Sequence, residues 1–209
     1  MKSRTTLLLV PTELELARLA DQGGFPLFEG RVELCGFGPV AAAARTAQLL
    51  ARHAPQRVLL VGIAGSFAPE RLPVGSATSF AAAAIEGLGS GSGFPQWPAR
   101  EGLAAIHDRL ALTPATGQAP AQLLLTTYAA SDSAAQVEHR LRLYPEAAAE
   151  DMEGFAVAFA CALAGVPCSI VRGISNTVGD RDARNWRIPA ALAAARALAL
   201  AELAARGAA

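Results

Sequence analysis

The feature that most constrains the fold of this chain is a series of short apolar runs without the polar alternation of a half-exposed strand. The clearest run, 57–63, reads RVLLVGI. Runs of this kind occupy 5–10, 32–35, 57–63, 76–85, 123–128 and 166–174. Segments with helical spacing occupy 12–20, 40–52, 134–143, 152–164 and 189–206. Strands buried on both faces and separated by helices indicate a mainly parallel sheet with helices on both sides.

The composition fits one compact α/β domain over residues 1–209. Hydrophobic residues make up 52% of the chain and charged residues 17%, which is enough apolar material for a single large core. Eighteen basic and eighteen acidic residues balance, so nothing predicts a general attraction to nucleic acid or to anionic lipid. Three cysteines without a CxxC pair argue against a disulfide framework and favour a cytoplasmic protein.

The uncharged segment 154–171 is nearly long enough to cross a bilayer. It is interrupted by Gly165, Val166 and Pro167, and the residues that follow have the composition of a strand. We therefore interpret the segment as a buried helix, a turn and a buried strand, and we predict no membrane association.

Polar residues cluster where the predicted strands end, which is where ligands bind in such sheets. Thr12 and Glu15 follow the first strand. Their spacing is that of a capping box, in which Glu15 would serve only the helix start. A carboxylate at this edge is also placed to orient a water molecule. After the third run, Ala64 and Gly65 let a ligand approach the backbone closely, with a tight turn as the alternative.

The segment 150–154, EDMEG, lies at the start of the most apolar helix. Carboxylates at a helix N-terminus complement the helix dipole, which would account for one or two of Glu150, Asp151 and Glu153. A partly buried carboxylate such as Glu153 needs hydrogen-bond partners, and a sugar diol is a suitable one. The segment 172–182, RGISNTVGDRD, follows another buried strand, and its many donors and acceptors favour a binding site, with a polar turn as the alternative.

These motifs, in this order, resemble the nucleoside phosphorylase and nucleosidase superfamily, in which the methylthioadenosine/S-adenosylhomocysteine nucleosidases are the nearest comparison. The specific parts are 151–154, DMEG, and 172–176, RGISN, with 179–182, GDRD, and Trp186 behind them. Within the superfamily the chain looks most like the futalosine hydrolases of the alternative menaquinone pathway. The resemblance covers nearly the whole chain, and it implies a three-layer α/β/α sandwich around a twisted mixed sheet.

The resemblance also implies roles for individual residues. Glu15 occupies the position of the carboxylate that activates water. Met152 and Glu153 occupy the positions that hold the ribose, with Glu153 on its hydroxyl groups. The substrate-binding candidates are Ile63, Ala64 and Gly65 at the strand end, Asp151 and Met152 in the DMEG motif and Trp186 as a cover. The carboxylate of futalosine needs a cation or a helix end, for which Arg181 is a candidate, with a surface-loop arginine as the alternative.

Asn176 departs from the adenine-cleaving relatives, which carry an aspartate there that protonates or hydrogen-bonds N7 of the leaving base. An asparagine offers both an amide N–H and a carbonyl, so it can serve a 6-oxopurine such as the hypoxanthine of futalosine. A second departure concerns base stacking. Where the nucleosidases place an aromatic residue, this chain has Ala130, and Tyr128 is the nearest aromatic residue.

The resulting expectation is a nucleosidase that hydrolyses futalosine without a metal ion or cofactor, since the histidines show no ligand spacing. The alternatives are another purine nucleosidase, a phosphorylase that would bind phosphate with arginines such as Arg45, and a non-catalytic nucleoside-binding module. The segment 36–41, GFGPVA, lacks the third glycine of a dinucleotide fingerprint, so we discount a nicotinamide-dependent oxidoreductase. The resemblance implies a homodimer or a higher homo-oligomer.

Overall fold

The computed structural model describes residues 6–26, 28–88, 109–115 and 119–207. The strands in these ranges are β1 (Thr6–Val10), β2 (Arg31–Leu34), β3 (Arg57–Ser66), β4 (Ala77–Ile85), β5 (Arg109–Ala111), β6 (Ala121–Thr126), β7 (Ala147–Asp151) and β8 (Cys168–Thr177). The helices are α1 (Glu13–Asp21), α2 (Pro39–His53), α3 (Ala134–Leu143), α4 (Gly154–Leu163), α5 (Ile188–Gly207) and a short 3₁₀ helix (Ala183–Asn185).

The strands form one mixed sheet that contains two parallel groups. β2, β1, β3 and β8 pair in that order, and β4, β6 and β7 form the second group. Antiparallel pairs join the groups, β8 to β4 and β3 to β7, and β5 extends β4. Because β3 pairs with both β8 and β7, the strands β3, β8, β4, β6 and β7 form a closed path.

The path closes through two residue pairs, Gly65 with Glu150 and Ser66 with Ala149. Both pairs lie at the carboxyl ends of β3 and β7. β8 also ends beside β3, with Asn176 opposite Gly65. The carboxyl ends of strands from both parallel groups therefore meet at one place.

Helices cover both faces of the sheet. α2 and α4 pack on one face, where Leu49, Phe155 and Ile170 are among the buried residues. α1 and α5 pack on the other face around Leu19 and Leu192. This arrangement is the predicted three-layer α/β/α sandwich.

Helix α5 is long and apolar enough, by length and composition alone, to cross a membrane. Its Leu192, Ala195, Leu198 and Ala199 are buried against the sheet. One side of α5 thus packs on the sheet, and 33% of its apolar window, Ile188–Ala205, is buried. The segment 154–171 also has the predicted order, with α4 followed by a turn and then β8.

The structure differs from the sequence analysis at β5 and β7, which the apolar pattern does not predict. Glu150 and Asp151 end β7, and α4 begins at Gly154 with Glu153 at its N-cap position. Glu150 and Asp151 therefore lie on a strand and not in the helix, although Oδ2 of Asp151 accepts from the backbone N–H of Gly154 at the start of α4. The alanines of β7 have little strand preference of their own, and pairing with β6 and β3 holds them extended.

Candidate active site

A cavity of about 310 Å³ opens where the ends of β3, β7 and β8 meet. A volume of this size suits a small organic ligand. The structure brings together in its wall all the residues that the sequence analysis proposed for catalysis or substrate binding. These are Glu15, Ile63, Ala64, Gly65, Asp151, Met152, Glu153, Asn176, Arg181 and Trp186.

Glu15 lies in the first turn of α1, and its buried carboxylate faces the end of β3. Oε1 accepts a hydrogen bond from the backbone N–H of Ile63 at 3.0 Å, and Oε2 accepts one from the hydroxyl of Thr12 at 2.6 Å. The Thr12 hydroxyl oxygen also accepts from the backbone N–H of Glu15 at 3.2 Å, as an N-cap does. The helix cap is thus formed by Thr12, while the Glu15 carboxylate turns to the cavity.

Arg172 and Glu15 approach each other over Gly62. A Cβ atom on Gly62 would lie 2.2 Å from Nη1 of Arg172 and 2.7 Å from Oε1 of Glu15, so a side chain at this position would displace both groups. Nη1 of Arg172 is buried and makes no hydrogen bond to a described residue. A buried donor without a partner is costly, so the position of this guanidinium needs the neighbouring carboxylates to offset that cost.

Asp151 and Arg172 form the centre of a buried ion-pair cluster. Nε of Arg172 donates to Oδ2 of Asp151 at 3.0 Å, and Nη2 donates to the same oxygen. Asp151 also accepts from the hydroxyl of Thr126 at 2.6 Å and from the backbone N–H of Gly154 at 2.9 Å. Since both oxygens of Asp151 are engaged within the protein, its geometry fits a positioning role for Arg172 and α4.

Glu153 faces the same guanidinium from the start of α4. Its Oε2 lies 3.4 Å from Nη2 of Arg172, and its Oε1 accepts a hydrogen bond from the backbone N–H of Gly38 at 3.0 Å. Burial raises the pKa of Glu153 to about 7; Arg172 opposes this rise and Asp151 adds to it. The side chain therefore changes charge near neutral pH, at a point where it can accept hydrogen bonds from hydroxyl groups.

Asn176 lies at the end of β8 and is half-buried. Nδ2 donates to the carbonyl oxygen of Thr177 at 2.8 Å, and Oδ1 accepts from the hydroxyl of Ser175 at 2.8 Å. An amide nitrogen carries two hydrogens, so one N–H of Asn176 remains for a ligand in the cavity. This donor suits an acceptor such as N7 of a purine.

Trp186 and Arg181 form the outer part of the wall. Nε1 of Trp186 donates to the carbonyl oxygen of Asp180 at 3.1 Å, which fixes the ring. The guanidinium of Arg181 lies 5.0 Å from the centroid of the same ring, at cation–π distance. The neighbouring Asp182 pairs with Arg184, and Arg181 itself is exposed at the mouth.

The apolar part of the described wall includes two aromatic residues, Phe37 and Trp186. Ala130 lies in the wall where the nucleosidase pattern has its stacking residue, and Tyr128 is 62% exposed and lies outside the wall. Tyr128 therefore does not replace the missing aromatic residue. Met152 and Ile63 contribute half-buried apolar surface.

Sequence reasoning missed Arg172 as a member of the site and named it only as the first residue of a motif. The available signal was its position as the single charged residue of an otherwise apolar strand, since CSIVRGI has no other charge. Sequence reasoning also assigned no role to Ser131, and it placed Glu150 only at the start of a helix. Both residues lie in the cavity wall.

The charge distribution disfavours an anion at the inner end of the cavity, because the three carboxylates of Glu15, Asp151 and Glu153 lie there against the one guanidinium of Arg172. Arg45 lies on α2, outside the described wall, and its Nη2 is 3.7 Å from Glu33. Among the described residues, no group of three or more His, Cys, Asp or Glu side chains is arranged to hold a metal ion.

The fold and the cavity can be compared with known proteins. The family model of the phosphorylase superfamily matches residues 20–205, and the chain belongs to that family. The solved structure of a futalosine hydrolase mutant of Helicobacter pylori has a TM-score of 0.78 at 17% identity, covering 97% of this chain and 99% of that one. The predicted nucleoside phosphorylase-like fold is thereby confirmed.

The sequence relatives are nucleosidases. A futalosine hydrolase of Streptomyces coelicolor is 38% identical over 171 residues, which are 76% of this chain and 72% of the relative. A 5′-methylthioadenosine/S-adenosylhomocysteine nucleosidase of Marinomonas sp. is 32% identical over 181 residues, which are 78% of each chain.

Proposed function

We propose that this protein is a futalosine hydrolase, which cleaves the N-glycosidic bond of futalosine and releases hypoxanthine and dehypoxanthine futalosine. The observation that carries the proposal is that one cavity wall joins two buried carboxylates, Glu15 and Glu153, with the amide of Asn176. The 38% identity to the futalosine hydrolase of Streptomyces coelicolor supports it. This activity is a step of menaquinone biosynthesis by the futalosine pathway.

Glycosyl cleavage of this kind passes through a transition state that resembles an oxocarbenium ion. As the bond to the base breaks, negative charge develops on the hypoxanthine ring. The free N–H of Asn176 donates to that ring, and this hydrogen bond strengthens as the charge develops. Asn176 therefore stabilises the leaving group.

Glu153 holds the sugar in this mechanism. When it is ionised, its oxygens accept hydrogen bonds from the ribose hydroxyl groups, with Arg172 and the Gly38 N–H fixing the carboxylate from the protein side. The negative charge near the ring also favours the developing positive charge of the oxocarbenium ion.

Glu15 acts as the general base. A water molecule in the cavity donates a hydrogen bond to the Glu15 carboxylate, which removes its proton as the water oxygen bonds to C1′ of the sugar and the hypoxanthine anion departs. The hydrogen bonds from Ile63 and Thr12 hold the carboxylate in one orientation.

Two related activities use the same fold and remain as alternatives. A phosphorylase would place phosphate where this protein has buried carboxylates, which argues against it. A methylthioadenosine-type nucleosidase is favoured by the Marinomonas relative, and the amide of Asn176 argues for a 6-oxopurine base over adenine. A non-catalytic binding module would not need Glu15 in its buried, oriented position.

The test is to incubate the purified protein with futalosine, inosine and methylthioadenosine, with and without phosphate, and to follow release of the free base by chromatography. We expect release of hypoxanthine from futalosine without phosphate. Release that requires phosphate assigns the protein to the phosphorylases, and a preference for methylthioadenosine overturns the argument from Asn176. No release from any of the three contradicts the proposed activity.

We further propose that the protein is cytoplasmic and forms a homodimer or a higher homo-oligomer. The free, buried thiols Cys35, Cys161 and Cys168 suit a reducing compartment. Phe37 is 65% exposed and Val40 72%, and such apolar exposure is typical of a surface that a partner covers. Light scattering coupled to size-exclusion chromatography gives the molar mass, and a monomer contradicts the second part.

A further inference from the structure

Glu150 is a buried carboxylate in the cavity wall that the mechanism above does not use. It is 6% exposed and lies near the end of β7, between Leu125 of β6 and Gly65 of β3. An apolar side chain would suit such neighbours better, since a buried ion pair is seldom more stabilising than well-packed apolar residues. A carboxylate at this point therefore calls for a reason beyond stability.

The carboxylate of Glu150 is held in one orientation by three donors. Oε1 accepts from the backbone N–H of Ser131 at 2.8 Å. Oε2 accepts from the Ser131 hydroxyl and from Nη1 of Arg140, both at 2.7 Å. Arg140 is itself buried and donates further to Glu86 at 2.7 Å and to the carbonyl oxygen of Ala129 at 2.9 Å.

These contacts leave one acceptor position on Glu150. A carboxylate offers about four lone-pair sites, two on each oxygen. Three are occupied by the donors from Ser131 and Arg140, and the fourth belongs to Oε1. Because Glu150 lines the cavity, a ligand there can donate one hydrogen bond to it.

Glu150 and Asn176 face the cavity from two sides of Gly65. Gly65 pairs with Asn176 on β8 and with Glu150 on β7, and paired residues point to the same face of a sheet. Their Cα atoms are therefore at most two strand spacings apart, roughly 9.6 Å, because the closed path of strands curves between them. A purine ring fits between two side chains at that separation, with one edge on each.

The two edges differ in the hydrogen bonds that they need. When N7 of the base accepts from Asn176, the six-membered ring extends toward β7. In a 6-oxopurine N1 carries a hydrogen and is a donor, whereas N1 of adenine or of unsubstituted purine carries a lone pair. An acceptor aimed at N1 attracts a 6-oxopurine and repels adenine or unsubstituted purine, so it discriminates between these bases.

We propose that Glu150 is a specificity residue that accepts a hydrogen bond from N1 of a 6-oxopurine base, and that Arg140 and Ser131 position it for that contact. The inference rests on the proposed function. It adds a second determinant of base choice to Asn176, on the opposite edge of the ring.

The test compares the binding of two free bases, hypoxanthine and unsubstituted purine, by isothermal titration calorimetry. Hypoxanthine has the N1 hydrogen and purine lacks it. The unchanged protein should prefer hypoxanthine. Glu150→Gln replaces one acceptor oxygen with a donor, so hypoxanthine binding should weaken on the order of 10- to 100-fold while purine binding changes less than about threefold.

Two further variants separate recognition from folding. Glu86→Gln alters the other partner of Arg140 away from the cavity, and it should leave the preference between the bases unchanged. Glu150→Asp keeps a charge beside Arg140 but shortens the side chain, so it should fold and still lose part of the preference for hypoxanthine. Unfolding midpoints of all variants report structural damage.

If Glu150→Gln and Glu150→Asp lose equal affinity for both bases, Glu150 has a structural role and the proposal is overturned. The proposal is also overturned if the variants keep the preference for hypoxanthine, or if the unchanged protein shows no such preference. The futalosine assay of the unchanged protein is independent of this result. A protein that discriminates between the bases through Glu150 but does not hydrolyse futalosine contradicts the proposed function alone.

Discussion

At the scale of single residues, the proposed hydrolysis depends most on Glu15. Its carboxylate is 5% exposed and is oriented by Ile63 and Thr12, whereas Glu13, two residues earlier in the same helical turn, is exposed. Replacing Glu15 with Gln removes the general base and should lower kcat for futalosine by about 10² to 10⁴-fold. Steady-state release of hypoxanthine measures the effect.

Glu13→Gln is the matched control, since it makes the same chemical change on the same helix without touching the cavity. It should keep kcat within about twofold of the unchanged protein, as surface substitutions usually do. If Glu15→Gln retains comparable activity, Glu15 is only part of the helix start and the proposed mechanism loses its base.

We expect Arg181 to bind the carboxylate of futalosine. It is exposed at the mouth of the cavity and is held over the ring of Trp186, so its charge is available to a substrate. Arg181→Gln should raise KM for futalosine roughly tenfold, because a charge-assisted hydrogen bond is lost. It should leave KM for inosine, which has no carboxylate, nearly unchanged.

Arg184→Gln serves as the comparison, because Arg184 is also exposed but pairs with Asp182 outside the cavity wall. Its KM values should match those of the unchanged protein. A rise in KM for inosine that equals the rise for futalosine shows that Arg181 supports Trp186 and does not bind the carboxylate.

At the scale of secondary-structure elements, the junction of β7 and α4 shows both the reach and the limit of sequence reasoning. The DMEG motif correctly placed polar residues next to the most apolar helix. The sequence could not show that Ala147–Ala149 are extended, because alanine favours helices and the strand exists only through its partners. Asp151 consequently ends a strand and accepts from Gly154 across the junction.

The same junction predicts how stability depends on pH. Burial raises the pKa of Glu153 from 4.5 to about 7. Between these values the unfolded chain has released the proton and the folded protein still holds it. The contribution of Glu153 to the free energy of unfolding should therefore be greatest below about pH 4.5, fall as the pH rises to about 7 and stay constant above that. The total fall should be on the order of 3 kcal/mol.

The free energy of unfolding in urea is measured for the unchanged protein and for Glu153→Gln between pH 4.5 and 8. The contribution of Glu153 is the difference between the two pH dependences. Gln does not titrate, so its curve should lack the fall. Glu70→Gln, at an exposed site, should keep it. Parallel curves for the unchanged protein and Glu153→Gln contradict the raised pKa of Glu153.

At the scale of the whole molecule, the closed path of five strands explains why the predicted site residues meet. The apolar runs predict an α/β sandwich, and the ends of its strands predict where Glu15, Ala64 and Asn176 lie. The closure of β3 on β7 depends on two residue pairs far apart in the sequence, which no local pattern encodes. The role of Arg172 was hidden for the same reason, since its partner Asp151 comes from a different parallel group of strands.

Because the cavity wall is assembled from residues between Thr12 and Ile188, a ligand that fills it should stabilise the entire fold and not one segment. Glu15→Gln provides the means to test this, since it should bind futalosine and hydrolyse it about 10² to 10⁴-fold more slowly. At a futalosine concentration 100 times Kd the expected gain is about 2.7 kcal/mol, or a rise in Tm of roughly 5–10 °C for a chain of this size. Inosine lacks the carboxylate that Arg181 is expected to bind, so the same concentration should give a smaller rise. A Tm that does not change with futalosine contradicts binding in this cavity, whereas a rise confined to the unchanged protein points to a reaction product as the ligand.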